Sequence, residues 1–257
     1  MHVQLLPAQP TLHRAYRRER LTLADGRQTT IHVAEFDLDR TVAQVVRLSE
    51  PMALARWCRE NGAGDAIVGG FFTRPGNLPL GELWLDGARE ASIPFDGPWG
   101  PFRSCVEVEP GAVRIGPRAR LAPEPAGDLL QAGPMLVDHG RPLELLSDDP
   151  EGFSSGSRQF DSDITAGRYP RSALGIGDGR LIAAVCDGRA ADESGLSLTE
   201  LAQAMADAGA HCAINLDGGG SSSLVIDGRL ANRPREEHGI VIGGGRPVVT
   251  AITFGPR

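Results

Sequence analysis

The sequence predicts an α+β fold, a mixed and mainly antiparallel twisted sheet with packed helices, and three observations carry that reading. Two pairs of alternating apolar segments flank Asp-Gly dipeptides, at Asp25-Gly26 and Asp178-Gly179, and such pairs are strong local hairpin signals. Two segments, residues 52–61 and 198–208, have apolar positions at helical spacing and end at a glycine. An apolar strand follows the second helix, so strand, helix and strand join in one parallel crossover. The 257 residues suit a single domain spanning 1–257, with residues 1–50 as N-terminal strands of that domain.

The elements follow in order. Residues 20–47 form the first hairpin around Asp25-Gly26, with short strands on both sides. Pro51 opens a helix over 52–61 because its fixed φ suits the first helical position, and Gly62 closes it. A strand, AIVGGFF, follows. Residues 73–134 carry so many Pro and Gly residues that helices there would be broken repeatedly, which leaves strands and loops. Residues 147–171 are polar, without periodicity, and longer than an ordinary connection.

The clearest unit begins at Ser172, where SALGI, Asp178-Gly179 and LIAAVCD make the second hairpin. In the next helix Ser197 and Glu200 form a capping box, Leu196 and Leu201 a hydrophobic staple, and Gly209 the left-handed stop. Residues 212–216 return as a strand that ends at Asp217. Strands running the same way would deliver Asp187 and Asp217 to one edge of the sheet, where such sheets commonly bind ligands. LARWCRENGAGDAI (54–67) also aligns without gaps on LAQAMADAGAHCAI (201–214), and LDG at 85–87 corresponds to IDG at 226–228. Either the domain has two related halves, or two amphipathic helices agree by chance.

A net charge of -7 argues against a basic face for nucleic acid or an anionic membrane. The four cysteines, Cys58, Cys105, Cys186 and Cys212, have neither CxxC pairing nor metal-ligand spacing and read as free thiols. The N-terminus lacks an apolar leader core, so a cytoplasmic chain is expected, and no apolar run reaches the length of a membrane span. No cofactor is implied, and nothing in the sequence sets an oligomeric state.

INLDGGGSSSLVIDG (214–228) is the most specific chemical signal. Gly218, Gly219 and Gly220 after a strand can present unhindered N–H groups to an anion, with Ser221 and Ser222 adding hydroxyls and Asp217 at the border. Arg168 and Arg171 precede the Ser172 strand and Arg189 follows Asp187, so guanidinium forks suited to phosphate flank the same edge. For any one arginine a surface salt bridge is the competing reading, with Arg171 the preferred phosphate ligand. Glu237 and His238 in REEHG are further candidates, with solvated loop residues as the alternative. A divalent cation among Asp161, Asp163, Asp187 and Asp217 is a separate reading.

The chain resembles the phosphodiester glycosidase family. The matching elements are GGFF (69–72) with PLGELWLDG, QAGPMLV (131–137), YPRSALGI (169–176), VCDGR (185–189), GLSLTELA, NLDGGGSSSLV (215–225), NRP and RPVVTAITF (246–254), in the family's order over about residues 66–254. The resemblance implies a hydrolase that cuts a sugar from a phosphate, as the family's animal members cut N-acetylglucosamine from its α-linkage to phosphate on mannose. It adds Gly69, Gly70 and Gln131 to the candidate substrate contacts. The family usually has Asn before the first Gly-Gly-Phe-Phe, where this chain has Val68. Since a phosphate monoester is already a competent leaving group, one carboxylate plus charge stabilisation can suffice for the chemistry. The expectation is that the Gly218–Ser222 segment and Arg171 hold phosphate while Asp217 or Asp187 activates water or stabilises positive charge at C1. Attack on phosphorus, and phosphosugar or polysaccharide binding without turnover, are the alternatives.

Overall fold

The computed structural model describes residues 14–95, 97–145, 151–153 and 167–257. In chain order the strands are β1 (Arg14–Thr22), β2 (Gln28–Asp37), β3 (Thr41–Ala53), β4 (Asp65–Val68), β5 (Leu83–Leu85), β6 (Ala88–Arg89), β7 (Ser104–Glu109), β8 (Ala112–Pro117) and β9 (Asp128–Gln131). They continue with β10 (Met135–Asp138), β11 (Arg141–Pro142), β12 (Arg171–Gly177), β13 (Arg180–Cys186), β14 (Cys212–Asn215), β15 (Leu224–Ile226), β16 (Arg229–Leu230) and β17 (Pro247–Pro256). The α-helices among the described residues are α1 (Leu54–Asn61) and α2 (Leu198–Asp207).

The strands form a seven-stranded sheet in the order β1-β2-β13-β12-β14-β10-β11 and two five-stranded sheets, β16-β15-β4-β17-β3 and β6-β5-β9-β7-β8. This corrects the expected α+β class. The protein is mainly β, and every strand ladder in the three sheets is antiparallel. The expected parallel crossover is absent because β13 already has β12 on one edge and β2 on the other. After α2 the chain finds its open edge on β12, and β14 pairs there, antiparallel. Since β13 and β14 are each antiparallel to β12, they run in the same direction with one strand between them. The Gly- and Pro-rich stretch that gave no topology in the sequence builds the third sheet.

Both hairpins form around turns with positive φ, at Gly26 (81°) and at Asp178 and Gly179 (48° and 73°). The capping box of α2 is present, with Ser197 accepting from the Glu200 amide at 3.2 Å and Glu200 accepting from the Ser197 amide at 2.9 Å. Pro51 does not open a helix. It lies within β3, which is an edge strand, and the edge tolerates a residue without an N–H. The aligned segments 54–67 and 201–214 both run helix then strand, and Asp86-Gly87 and Asp227-Gly228 share positive φ of 49°, 75°, 50° and 70°. The two helix–strand units nevertheless belong to different sheets.

Alternation along β2 and β13 creates two cores. Ala34, Phe36, Leu181, Ala183 and Val185 face the central core with Ile67, Val68, Leu224, Ile252 and Phe254 of the second sheet and Leu83, Val106 and Leu130 of the third. Ile31, Val33, Ile182, Ala184 and Cys186 face outward under α2, against Leu198, Leu201, Ala202 and Met205. Phe36 and Phe254 stack across the first two sheets with ring centroids 4.2 Å apart. Phe36→Ala should therefore cost about 3–5 kcal/mol, the range for losing a buried aromatic ring. Urea unfolding of the variant measures it, and a loss below about 1 kcal/mol would mean that the sheets hold together without this stack.

Candidate active site

The site forms where the ends of β14 and β4 meet. The amide of Asp217 donates to the carbonyl of Gly69 at 3.0 Å, and Gly69 and Gly70 are pinned to Thr250 of β17 through Gly69 N–H to its carbonyl at 2.9 Å and Gly70 N–H to its hydroxyl at 3.1 Å. A Cβ on Gly69 would lie 2.8 Å from the Thr250 backbone carbon, so close packing requires glycine there. Val68, at the position where an asparagine was noted above, is fully buried in the central core. Gln131 is also buried, accepting from the Glu82 amide and donating to the carbonyls of Gly100 and Arg103.

The three glycines act differently from an open row of amides. Gly218 N–H donates to Asp217 Oδ1 at 2.9 Å and Gly219 N–H to the Pro170 carbonyl at 2.8 Å, while the Ser221 and Ser222 amides close a single 3-10 turn onto Gly218 and Gly219. The side chains of Ser221 and Ser222 are fully buried. What the glycines provide is a floor without side chains. A Cβ on Gly218 would meet the Pro170 carbonyl at 3.0 Å, one on Gly219 would meet the Arg189 guanidinium at 3.2 Å, and one on Gly220 would meet Glu236 Oε1 at 2.5 Å.

Around this floor stand Asp217, Arg189, Glu236 and Arg246, and the charge of Arg74 acts on both carboxylates. Glu236 and Arg246 form a two-pronged pair, and the Arg246 amide donates to the Gly220 carbonyl at 3.1 Å. Burial pushes the Asp217 carboxyl up to about 6, against the opposing pull of Ser221, Arg246, the Gly218 amide and Arg74. Glu236 moves the other way: its bond to Arg246, with the charges of Arg74 and Arg189, holds it below its ordinary value despite partial burial.

The remaining sequence candidates are distributed as follows. Arg171 is buried and donates to the carbonyls of Leu196 and Gly167, with its guanidinium 5.4 Å from the centre of the Tyr169 ring. Arg189 approaches the same ring from 5.5 Å and also reaches the Arg235 carbonyl at 3.2 Å. It is Arg189 that comes over the glycine floor. Arg168 pairs with Glu200 and Asp25. Asp187 is buried, accepts from the Arg233 amide at 2.7 Å and faces His32 Nε2 at 3.5 Å, while Tyr16 hydrogen-bonds the other His32 nitrogen at 2.8 Å. Asp187 thus fixes the segment whose Asn232 clasps Ser222 and Leu224.

Glu237 and His238 are exposed, whereas Glu236 lies over the floor. Sequence reasoning passed over Glu236, Arg246 and Arg74; the one available signal was the REE run, which offered two carboxylates without choosing between them. Asp161 and Asp163 lie outside the described residues. Among the described residues no three His, Cys, Asp or Glu side chains gather as metal ligands.

The phosphodiester glycosidase family matches residues 61–254. No curated protein matches the sequence. Among solved structures, the catalytic domain of zebrafish N-acetylglucosamine-1-phosphodiester alpha-N-acetylglucosaminidase, auto-inhibited by its pro-peptide, is similar with a TM-score of 0.70 at 19% identity, over 98% of this chain and 86% of that one. A hypothetical protein from Synechocystis is similar with a TM-score of 0.65 at 20% identity, over 95% of this chain but only 62% of that one. At these identities the likeness is one of fold.

The raised Asp217 has a consequence for stability. A carboxyl whose folded pKa exceeds its unfolded value of about 3.9 binds its proton more tightly in the folded state, so ionisation costs stability as pH rises between the two values. The penalty is complete above about 6. Asp217→Asn carries no such charge and should melt higher than the parent protein at pH 8, with the advantage shrinking as pH falls through 6 and gone near 4. Melting curves across that range check it; an advantage independent of pH would assign the effect to something other than the charge.

Proposed function

We propose, since the chain belongs to the phosphodiester glycosidase family, that it hydrolyses the bond between a sugar C1 and the oxygen of a phosphodiester. The observation that carries this reading is the pairing of a carboxyl poised near neutrality, Asp217, with guanidinium groups around a floor of bare backbone. A phosphodiester needs cationic donors for its non-bridging oxygens, and the reacting carbon needs a carboxylate nearby. Both are present at Gly218–Gly220.

In this reading Arg189, Arg74 and Arg246 hold the phosphate, with the Gly220 N–H as a further donor. Arg189 takes the place expected for Arg171, whose own bonds go to the Leu196 and Gly167 carbonyls. As the C1–O bond breaks, its electron pair leaves with the phosphate, which becomes a monoester dianion, and the guanidinium groups bear the added charge. Water adds to C1 and gives its proton to Asp217, whose pKa near 6 leaves it mostly ionised at pH 7 while keeping it a stronger base than an ordinary aspartate. Asp187, alternatively expected at the chemistry, serves here to hold the 232–236 segment against the floor.

Hydrolysis of methyl N-acetylglucosamine-1-phosphodiester in ¹⁸O water tests the reaction. Label is expected in the sugar; label in phosphate would establish attack on phosphorus instead, and binding without turnover would leave a phosphosugar-binding protein. In the same assay kcat/KM should fall as pH is lowered through about 6, because protonated Asp217 cannot accept a proton. Asp217→Asn should remove that limb and reduce kcat by roughly 10²–10⁴-fold with a smaller change in KM. A variant with unchanged kcat would remove Asp217 from the mechanism.

A further inference from the structure

We propose that Glu236 is a specificity-determining residue, one that matches the guanidinium cluster to a singly charged phosphodiester and against the doubly charged monoester that hydrolysis releases. The proposal rests on the glycosidase reading. Its starting point is the position of the Glu236 carboxylate, over Gly220 at a distance that admits no side chain on that residue. Arg246 is held by two partners, its amide donating to the Gly220 carbonyl and its fork to Glu236. Arg189 covers Gly219, and Arg74 acts electrostatically on both Asp217 and Glu236.

Three guanidinium groups, then, act on two carboxylates: Arg246 and Arg74 on both, and Arg189 on Glu236. With both carboxylates ionised the cluster carries a net single positive charge, which a phosphodiester neutralises. A monoester brings two negative charges and leaves an excess of one. Glu236 is the group that sets this balance without being needed to take or give a proton. It keeps one guanidinium half-engaged, so the site attracts the substrate but holds the product less firmly than three unopposed arginines would. Product leaving more readily than it would from a wholly cationic site is an advantage where release limits turnover.

The idea has a quantitative signature. Coulomb energy is proportional to ligand charge, so removing one negative charge from the site favours a dianion by twice the free energy gained by a monoanion. The change in affinity for the monoester should be the square of the change for the diester. A residue that merely shapes the cleft would alter both ligands by similar factors.

The test uses Glu236→Gln, which retains an oxygen for Arg246, at pH 8, where a phosphomonoester with a second pKa of about 6 is a dianion. The probes are methyl N-acetylglucosamine-1-phosphodiester, through its KM, and methyl phosphate, through its inhibition constant. KM should fall roughly fivefold and the inhibition constant roughly 25-fold. Arg246→Met should shift both the other way with the same squared relation, and it decides the matter if melting shows that Glu236→Gln is misfolded. Equal factors for the two ligands, or no change in either, overturn the proposal. If the parent protein does not turn over the diester, the glycosidase reading fails; calorimetric binding of the same two ligands to parent and variants then yields the same ratio and decides the charge argument separately.

Discussion

The amide of Asp217 donates to the carbonyl of Gly69 at 3.0 Å, and the rest of the site depends on that approach between two sheets. Strand β14 ends the seven-stranded sheet's run toward the cleft, and β4 ends that of a five-stranded sheet, so the bond ties together two segments that share no ladder. It requires the chain to come close at both corners. On one side Gly69 lies against Thr250, where no Cβ fits; on the other Gly218 lies against the Pro170 carbonyl. Glycine supplies here the close approach of backbone to backbone, and only at Gly219, with φ of 59°, a conformation that other residues resist.

The same constraint leaves side chains, more than main-chain amides, as the polar groups around the floor. Once Gly218, Ser221 and Ser222 have turned their amides into the local turn and Gly219 has given its own to Pro170, little main-chain donor capacity remains. The bare surface left behind admits long side chains from elsewhere: Arg189 from the segment after β13, and Glu236 and Arg246 from the segment between β16 and β17. Burial that brings these groups together also desolvates Asp217, and the resulting rise in its pKa is paid in folding stability at neutral pH.

The parts of the fold that were legible in the sequence were local ones. Asp25-Gly26 and Asp178-Gly179 each need only a turn and two alternating neighbours, and the capping box at Ser197 and Glu200 closes within one helical turn. The sheet order was not legible because it depends on competition between distant edges. Nothing between residues 172 and 216 says that β2 already occupies the outer edge of β13, yet that occupancy alone sends β14 to β12 and removes the parallel ladder. Pro51 misled for a related reason: its preference for a first helical position is real, but so is the tolerance of an edge strand, and only the assembled sheet shows that β3 is one.

The site was legible where the motif is dense and blurred where side chains arrive from irregular segments. Asp217 and the three glycines are contiguous and mark themselves. Which arginine side chain reaches Gly219 depends on the face of the sheet each occupies: Arg189 does, while Arg171, in line with Ala173 on β12, falls on the face covered by α2, where the Leu196 carbonyl takes its Nε–H. Glu236 and Glu237 differ by one residue in a segment without helical or strand period, so pattern cannot rank them. The backbone does: Glu236 donates its amide to the Ile240 carbonyl and His238 turns at a φ of 59°, which closes a small loop with Glu236 on its inner side and Glu237 and His238 in solvent. A carboxylate facing inward there meets Gly220 and Arg246, whereas one residue later the same chemistry would meet only water.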